Sequence, residues 1–167
     1  MSEFKEIKAT EISGNLIEKL SKEWMLITAQ KEDKVNTMTA SWGGFGELWG
    51  KDVSYIVVRP SRYTYEFLEQ GEYYSLCFFD ASKKDVLTAC GKESGRNVDK
   101  IEKHNLTVSI DNAPYFEEAE LVLICKKLYS QMLEKENFVC KEFAEQMYPD
   151  NDIHKLYVGE IVKVLEK

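Results

Sequence analysis

The stretch Val35-Asn36-Thr37-Met38-Thr39-Ala40-Ser41-Trp42 alternates between two kinds of side chain with a period of two. The hydroxyl set is Thr37, Thr39 and Ser41, and the opposite set is Met38, Ala40 and Trp42. Alternation of this kind predicts a half-buried β-strand. The glycine-rich segment Gly43-Gly44-Phe45-Gly46 follows at once, and we interpret it as the turn that the strand enters.

Strand candidates recur outward from this segment. They are Met25–Gln30, Val35–Trp42, Val53–Val58, Tyr73–Phe79, Leu106–Ile110, Leu121–Leu128 and Leu156–Leu165. Short helices are predicted from Ser61 to Gly71, over Lys83–Cys90 after Ser82, over Val98–His104 after Asn97, and from Asn137 or Phe138 to Met147. A parallel sheet would need a helix after nearly every strand, so this irregular order predicts a mainly β fold: a closed or half-closed β-barrel with peripheral helices.

Composition limits the class of protein. The 167 residues are 44% hydrophobic and 12% aromatic, which excludes intrinsic disorder and predicts a single domain over residues 1–167. The net charge of −7 argues against nucleic acid or an anionic membrane as the main partner. No apolar run approaches the roughly 20 residues of a membrane span, and the polar start resembles no signal peptide. We expect a cytoplasmic globular protein.

The usual metal and nucleotide motifs are absent from the sequence. Its four cysteines form no C-x-x-C pair and its two histidines are far apart, so no metal site is predicted. No G-x-G-x-x-G follows a strand, and no G-x-x-x-x-G-K-[ST] occurs. A phosphate-bearing cofactor would therefore bind without a Rossmann or Walker site.

Arginine is rare here, and its positions are informative. Only Arg59, Arg62 and Arg96 occur, and arginine is the side chain best suited to bidentate contact with phosphate. Arg62 stands at a predicted helix start, where free N–H groups attract anions. Ser94-Gly95-Arg96 forms a sharp turn that could expose backbone amides beside a guanidinium. Surface salt bridges would explain the same arginines equally well.

Two tryptophans bracket the glycine-rich segment. An exposed Trp42 or Trp49 beside open backbone would suit a planar ring ligand. Trp42 could as readily belong to the core.

Four blocks of sequence carry a family resemblance. They are Asn36–Trp42, Val58–Thr64, Cys90–Lys100 and His154–Glu160, in that order. Together they resemble the flavin reductase-like family of FMN-binding split barrels, in the branch of flavoredoxins and ferric reductase-like proteins. The resemblance extends from about residue 20 to the end of the chain. The Gly43–Asp52 stretch departs from the family in being richer in glycine and tryptophan.

The resemblance implies a fold, a cofactor and an assembly. The fold would be a six-stranded Greek-key split barrel with peripheral helices, forming a homodimer with FMN near the subunit interface. The strand from Asn36 to Trp42 would face the isoalloxazine ring. The Arg62 helix start, with the Thr39 and Ser41 hydroxyls, would hold the phosphate and the ribityl chain. Lys100 would support the negative charge at N1 and O2 of the ring. The implied FMN-binding residues are Asn36, Thr37, Met38, Thr39, Ala40, Ser41, Trp42, Arg62, Tyr63, Thr64, Ser94, Gly95, Arg96 and Lys100.

The implied function is that of an FMN-dependent oxidoreductase. It would pass electrons from NAD(P)H or a small redox protein through FMN to a small acceptor. The flavin supplies the redox chemistry, so no protein nucleophile is needed and no catalytic side chain is assigned. Two alternatives stay open: a non-catalytic FMN-binding electron carrier or sensor, and a barrel that has lost its flavin and serves as an interaction module.

Overall fold

Eight antiparallel strands form the main sheet of the computed structural model, which describes residues 3–167. These strands are β1 (Lys5–Ile7), β2 (Met25–Lys31), β3 (Lys34–Ala40), β4 (Gly43–Leu48), β5 (Lys51–Val58), β6 (Tyr73–Phe78), β9 (Leu121–Met132) and β10 (Lys155–Glu166). A separate hairpin consists of β7 (Val108–Asp111) and β8 (Ala113–Phe116), and β8 contacts β2 and β6.

The main sheet is an open barrel. Its strands follow the order β3-β2-β6-β9-β10-β5-β4. The first half of β10 pairs with β5, and its last three residues pair with β1 on the same side. Within the described residues no pairing joins the edge strands β3 and β4, so the sheet is not closed. The predicted mainly β split barrel is confirmed, with eight strands in the sheet where six were predicted.

Helices lie around the sheet. They are α1 (Leu16–Glu18), α2 (Tyr63–Gln70), α3 (Lys84–Lys92), α4 (Lys100–Lys103) and α5 (Lys141–Met147), and α1 continues into a π-helical stretch, Lys19–Glu23. Not one helix in the described part of the chain has both the length and the apolar character needed to cross a membrane.

The glycine-rich segment after β3 is a strand and not the predicted turn. β4 pairs with β5 along its whole length, and the ring of Tyr55 covers Gly44 and Gly46, where a Cβ atom would lie 3.8 and 3.7 Å from it. The chain reverses later, at Trp49-Gly50, where φ is 58° and 70°. A tight two-residue hairpin requires positive φ at both positions. The prediction of a turn at the glycine-rich segment is therefore wrong, and the turn lies at Trp49-Gly50.

Several helix starts are shifted from their predicted positions. Asp80, rather than Ser82, accepts the capping hydrogen bond before α3, through a 3-10 turn at Ala81–Lys83. Asp99, rather than Asn97, accepts the first N–H groups of α4. The sequence predicted these two helices correctly but not the residues that cap them, because capping depends on the local backbone geometry.

Two hydrophobic clusters hold the layers together, one on each face of the sheet. Alternation along β2 sends Met25 and Ile27 into the barrel and Leu26 to the outer face. Phe67 of α2 packs into the barrel cluster, whereas Leu87 of α3 packs into the outer one. The two helices thus contact β3 from opposite faces of the sheet. The short helix α4 also contacts β3. The space at the β3 edge, between the start of α2 and the end of α3, is where the candidate site lies.

Candidate functional site

Two adjoining clefts open at the edge of β3. The first, here the Arg62 cleft, has a volume of about 210 Å³, and the second, the Trp42 cleft, about 190 Å³. The Arg62 cleft is lined by Asn36, Met38, Ser61, Arg62, Tyr63, Thr64, Gly91, Lys92, Glu93, Ser94, Gly95 and Lys100. The Trp42 cleft is lined by Met38, Thr39, Ala40, Ser41, Trp42, Val57, Arg59, Arg62 and His154. Met38 and Arg62 belong to both, so a single elongated ligand could occupy the two clefts.

Arg62 is a half-buried cation without a protein partner. It stands at the N-cap of α2, and its guanidinium makes no hydrogen bond or ion pair with any residue from 3 to 167. Burial lowers the pKa of Arg62 because the charge is partly removed from water. The N–H groups of Tyr63 and Thr64, in the first turn of α2, also lack acceptors among the described residues. A guanidinium and two open amides at one helix start are typical of an anion site.

The turn at Ser94-Gly95 forms the wall opposite that helix start. Asn36 donates its side-chain N–H to Oγ1 of Thr64 at 2.8 Å, which fixes the amide. A Cβ on Gly95 would lie 2.0 Å from Oδ1 of Asn36 and 2.9 Å from the Tyr63 ring. Real side chains do not approach so closely, so this position requires glycine. The turn therefore closes tightly on β3 and α2.

Lys100 lies beneath the same turn. It is only 3% exposed, and its Nζ donates to the carbonyls of Cys90 and Glu93, at 3.2 Å each. Burial, with a further contribution from the nearby Arg62 charge, lowers the pKa of Lys100 to about 8. The structure places this ammonium in the Arg62 cleft and not among the residues of the Trp42 cleft. Its expected role beside the flavin ring stays a prediction, and the structure places Lys100 in the same cleft as Arg62.

Two predicted site residues lie outside both clefts. The Thr37 hydroxyl contacts Thr28 at 2.9 Å and donates to the Ile27 carbonyl at 3.1 Å, because strand alternation turns it away from the cleft side of β3. Arg96 donates to Glu66 at 2.7 Å and to the Ser61 carbonyl at 3.0 Å. Its guanidinium is thus engaged on the surface, and Arg96 holds the turn instead of lining the site.

The consecutive residues Met38, Thr39, Ala40, Ser41 and Trp42 all line the Trp42 cleft, which simple alternation did not predict. The strand ends at Ala40, so Ser41 and Trp42 leave the two-residue period. Thr39 donates its hydroxyl to the Leu87 carbonyl of α3 and is not free. Trp42 is 47% exposed and stands at the open side of the cleft. The Thr39 hydroxyl therefore ties β3 to α3, and the Trp42 ring is available to a ligand.

Comparison with known proteins identifies the family. Residues 17–167 match the model of the flavin reductase like domain. The chain belongs to the flavin reductase-like family. No curated protein matches it.

Solved structures share the fold of this flavin reductase-like domain. A flavoredoxin from Methanosarcina acetivorans is 22% identical, with a TM-score of 0.68 over 87% of this chain and 68% of that one. An FMN-binding protein from Thermus thermophilus with bound p-hydroxybenzaldehyde is 21% identical, with a TM-score of 0.68 over 98% and 82% of the two chains. An FMN-binding domain of a flavin reductase-like enzyme from Shewanella baltica is 15% identical, with a TM-score of 0.71 over 98% and 77%. At these identities the likeness establishes the fold.

Two polar side chains of the Trp42 cleft, His154 and Arg59, were not among the predicted FMN-binding residues. His154 is 7% exposed, and its ring lies 5.2 Å from that of Trp42. Burial, reinforced by the Arg59 charge, lowers the pKa of His154 to about 4, so the imidazole is neutral at physiological pH. Arg59 donates to the Asp152 carbonyl at 3.0 Å and thereby holds the segment that precedes His154. The sequence did point to His154, which is the first residue of the fourth family block, but the family resemblance implied no role for it.

Proposed function

We propose that this flavin reductase-like domain is an FMN-binding oxidoreductase. The Arg62 cleft would hold the phosphate and the Trp42 cleft the isoalloxazine ring. The observation that carries the proposal is the half-buried guanidinium of Arg62, which has no partner in the described chain and stands beside the open amides of α2. A phosphate monoester carries about −1.5 to −2 charges near neutral pH and would satisfy all three donors.

Further residues of the Arg62 cleft suit the polar part of such a ligand. The close approach of Gly95 to Asn36 narrows the Arg62 cleft, and Ser94 and Thr64 bring hydroxyls to its walls. Lys100 adds a second positive charge below the turn. A ligand with a phosphate, a polyol and a flat ring would place its polar groups among these side chains and its ring in the Trp42 cleft.

The bound flavin would supply hydride or single-electron chemistry, and the chain's residues would supply position and electrostatics. Trp42 would cover one part of the ring, and the uncharged His154 would add no positive charge to a cleft that Arg59 and Arg62 also line. β3 is an edge strand, so one side of its backbone is open to hydrogen bonds with a ring ligand.

The cofactor assignment has a direct test. The purified protein should release FMN and not FAD on denaturation, or take up added FMN from solution, because the clefts contain one anion site and the sequence lacks an adenylate-binding motif. Flavin absorption together with chromatographic identification of the released flavin measures this. Colourless protein that also fails to bind added FMN would overturn the proposal and favour an interaction module.

NAD(P)H or a small redox protein is the proposed electron donor. Steady-state NAD(P)H oxidation with added flavin or a ferric chelate, under anaerobic conditions, tests this step. Tight FMN binding without turnover in the presence of NAD(P)H or of a reduced iron–sulfur or haem protein would favour a carrier or sensor over an enzyme.

We also propose that the protein is a homodimer. Large apolar or aromatic side chains are exposed at Trp42, which lines the Trp42 cleft, and at Trp49, Tyr129, Val139 and Phe143, and the Trp49 and Tyr129 rings lie 6.4 Å apart. Apolar surface of this kind, next to a ring site that is open to water, favours coverage by a second copy. Sedimentation equilibrium at micromolar concentration should show a dimer. A single species of 19.4 kDa would contradict the proposal.

A further inference from the structure

His154 is held between two other aromatic rings at the wall of the Trp42 cleft. Its Nδ1 lies 2.8 Å from the hydroxyl oxygen of Tyr148, and the centroids of these two rings are 5.6 Å apart. Trp42 contacts the imidazole from the cleft side. Tyr148 is the C-cap residue that follows α5, and it is 5% exposed. The ring of His154 therefore has a fixed orientation.

The second ring nitrogen of His154 is open. Nε2 has no hydrogen-bond partner in residues 3–167. In that part of the chain, every fully buried side-chain nitrogen or oxygen has a partner. Nε2 must therefore reach accessible surface, and His154 is otherwise buried except where it lines the Trp42 cleft. This nitrogen is the atom that His154 presents to a ligand there.

The direction of the Tyr148 hydrogen bond determines what Nε2 can do. The Arg59 guanidinium lies 5.3 Å over the Tyr148 ring, and a cation there makes the phenol a better donor and a poorer acceptor. The charged groups facing the imidazole are Arg59 and Asp152, with Arg62 across the cleft. With the phenol donating to Nδ1, the single proton of a neutral imidazole must reside on Nε2.

We propose that Tyr148 is a positioning residue that donates its O–H to Nδ1 of His154 and fixes the Nε2–H tautomer, so that His154 donates a hydrogen bond to a ring carbonyl oxygen in the Trp42 cleft. The carbonyl belongs to the flavin itself or to a second planar carbonyl compound beside it. The ligand half of this inference rests on the proposed function, whereas the tautomer half concerns the protein alone.

Long-range ¹H–¹⁵N NMR of the ligand-free chain tests the tautomer directly. The chain has two histidines, so His104 serves as the internal reference. In the wild type, Nε2 of His154 should have the shift of a protonated nitrogen and Nδ1 that of a bare one. The reverse pattern would overturn the proposal, and this wild-type spectrum decides the point even if no variant folds.

Tyr148→Phe keeps the ring and removes the donor. We expect a mixture of the two His154 tautomers, and a rise of about one unit in the pKa of His154, because Nδ1 becomes free to take a proton. Tyr129→Phe, which removes an exposed hydroxyl bonded to Gln131, should leave His154 unchanged. A Tyr148→Phe spectrum identical to that of the wild type would show that Tyr148 only fills space.

Two ligand additions distinguish the two sources from which the carbonyl group could come. Added FMN alone should shift the Nε2–H proton if the flavin carbonyl is the acceptor. A shift that appears only after benzaldehyde is added to the FMN-loaded chain would identify a second ring ligand. Bound FMN with no shift in either arm would overturn the donor role. Failure of FMN to bind would instead overturn the proposed function, and the ligand-free spectrum would still decide the role of Tyr148.

Discussion

The Arg62 cleft and the Trp42 cleft share two residues but differ in chemistry. One contains a partnerless guanidinium and a buried ammonium within a cage of backbone amides and hydroxyls. The other is walled by an exposed tryptophan and a histidine that is neutral above about pH 4. Arg62 lines both clefts and Arg59, bonded to the Asp152 carbonyl, lines the second, so the first cleft is distinguished by its buried ammonium and the open amides of α2. A flavin mononucleotide has a dianion at one end, which these donors suit, and a largely uncharged ring at the other, which the aromatic wall suits.

The largest effect should come from Arg62→Ala. If the guanidinium binds the phosphate, its loss forfeits a charge-assisted contact of about 1.5–3 kcal/mol, or roughly 10- to 150-fold in FMN affinity. Riboflavin, which has no phosphate, should bind the wild type and the variant about equally. Arg62→Lys should restore part of the FMN affinity, because the charge stays and the planar fork is lost. Fluorescence titrations of both flavins measure the difference.

Arg96→Ala is the matched control for that experiment. Arg96 stands beside the same helix but is already engaged with Glu66 at the surface, so FMN affinity should change by no more than about threefold. Equal losses for FMN and riboflavin in Arg62→Ala would mean that Arg62 supports the fold. A larger FMN-specific loss in Arg96→Ala than in Arg62→Ala would move the anion site to the surface turn.

Gly95→Ala should disturb the Arg62 cleft next most strongly. The new methyl would collide with Oδ1 of Asn36, which is held by its bond to Thr64, so the turn must move outward. Overpacking of this kind costs about 1–3 kcal/mol in the free energy of unfolding, and FMN should bind more weakly as well. Gly46→Ala is the control, since its methyl meets only the Tyr55 ring at 3.7 Å. Equal stability of the two variants in urea unfolding would show that the Gly95 contact is easily relieved.

The smallest effect is a pH dependence that belongs to the Arg62 cleft alone. Lys100 is charged below a pKa of about 8 and loses its proton as the pH rises through that value, so its attraction for a phosphate falls in the same window. FMN affinity should decrease roughly three- to tenfold from about pH 7 to about pH 10. Lys100→Met should bind FMN more weakly at neutral pH and lack this decrease, whereas Lys92→Met, at an exposed position of the same cleft, should retain it. A wild-type affinity that is flat with pH would contradict a charge role for Lys100.

Alternation along β3 predicted part of the site from sequence. It placed Met38 on one face and Thr37 on the other, and the structure shows that Met38 lines the clefts whereas the Thr37 hydroxyl binds the Ile27 carbonyl. The prediction failed first at Thr39, which lines the Trp42 cleft beside Met38 and Ala40 within the regular strand, and again past Ala40, where the strand ends. A cleft at an edge strand is lined by residues from both faces, so alternation alone does not select them.

Tertiary partners account for the remaining errors. Arg62 and Arg96 are chemically equivalent in the sequence, and only the fold shows that Glu66 pairs with one and leaves the other free. The bond from Tyr148 to His154 likewise depends on how the chain bends after α5. The family blocks identified the fold and the neighbourhood of the site, but a list of motifs does not show which polar groups are already satisfied by the protein.

A crystal structure of the protein soaked with FMN would test the central claim most directly. The account predicts the phosphate within hydrogen-bond distance of the Arg62 guanidinium and of the Tyr63 and Thr64 amides, with the isoalloxazine ring in the Trp42 cleft. A phosphate bound at Arg96, or a ring inserted beside Lys100 with the phosphate near Trp42, would contradict it.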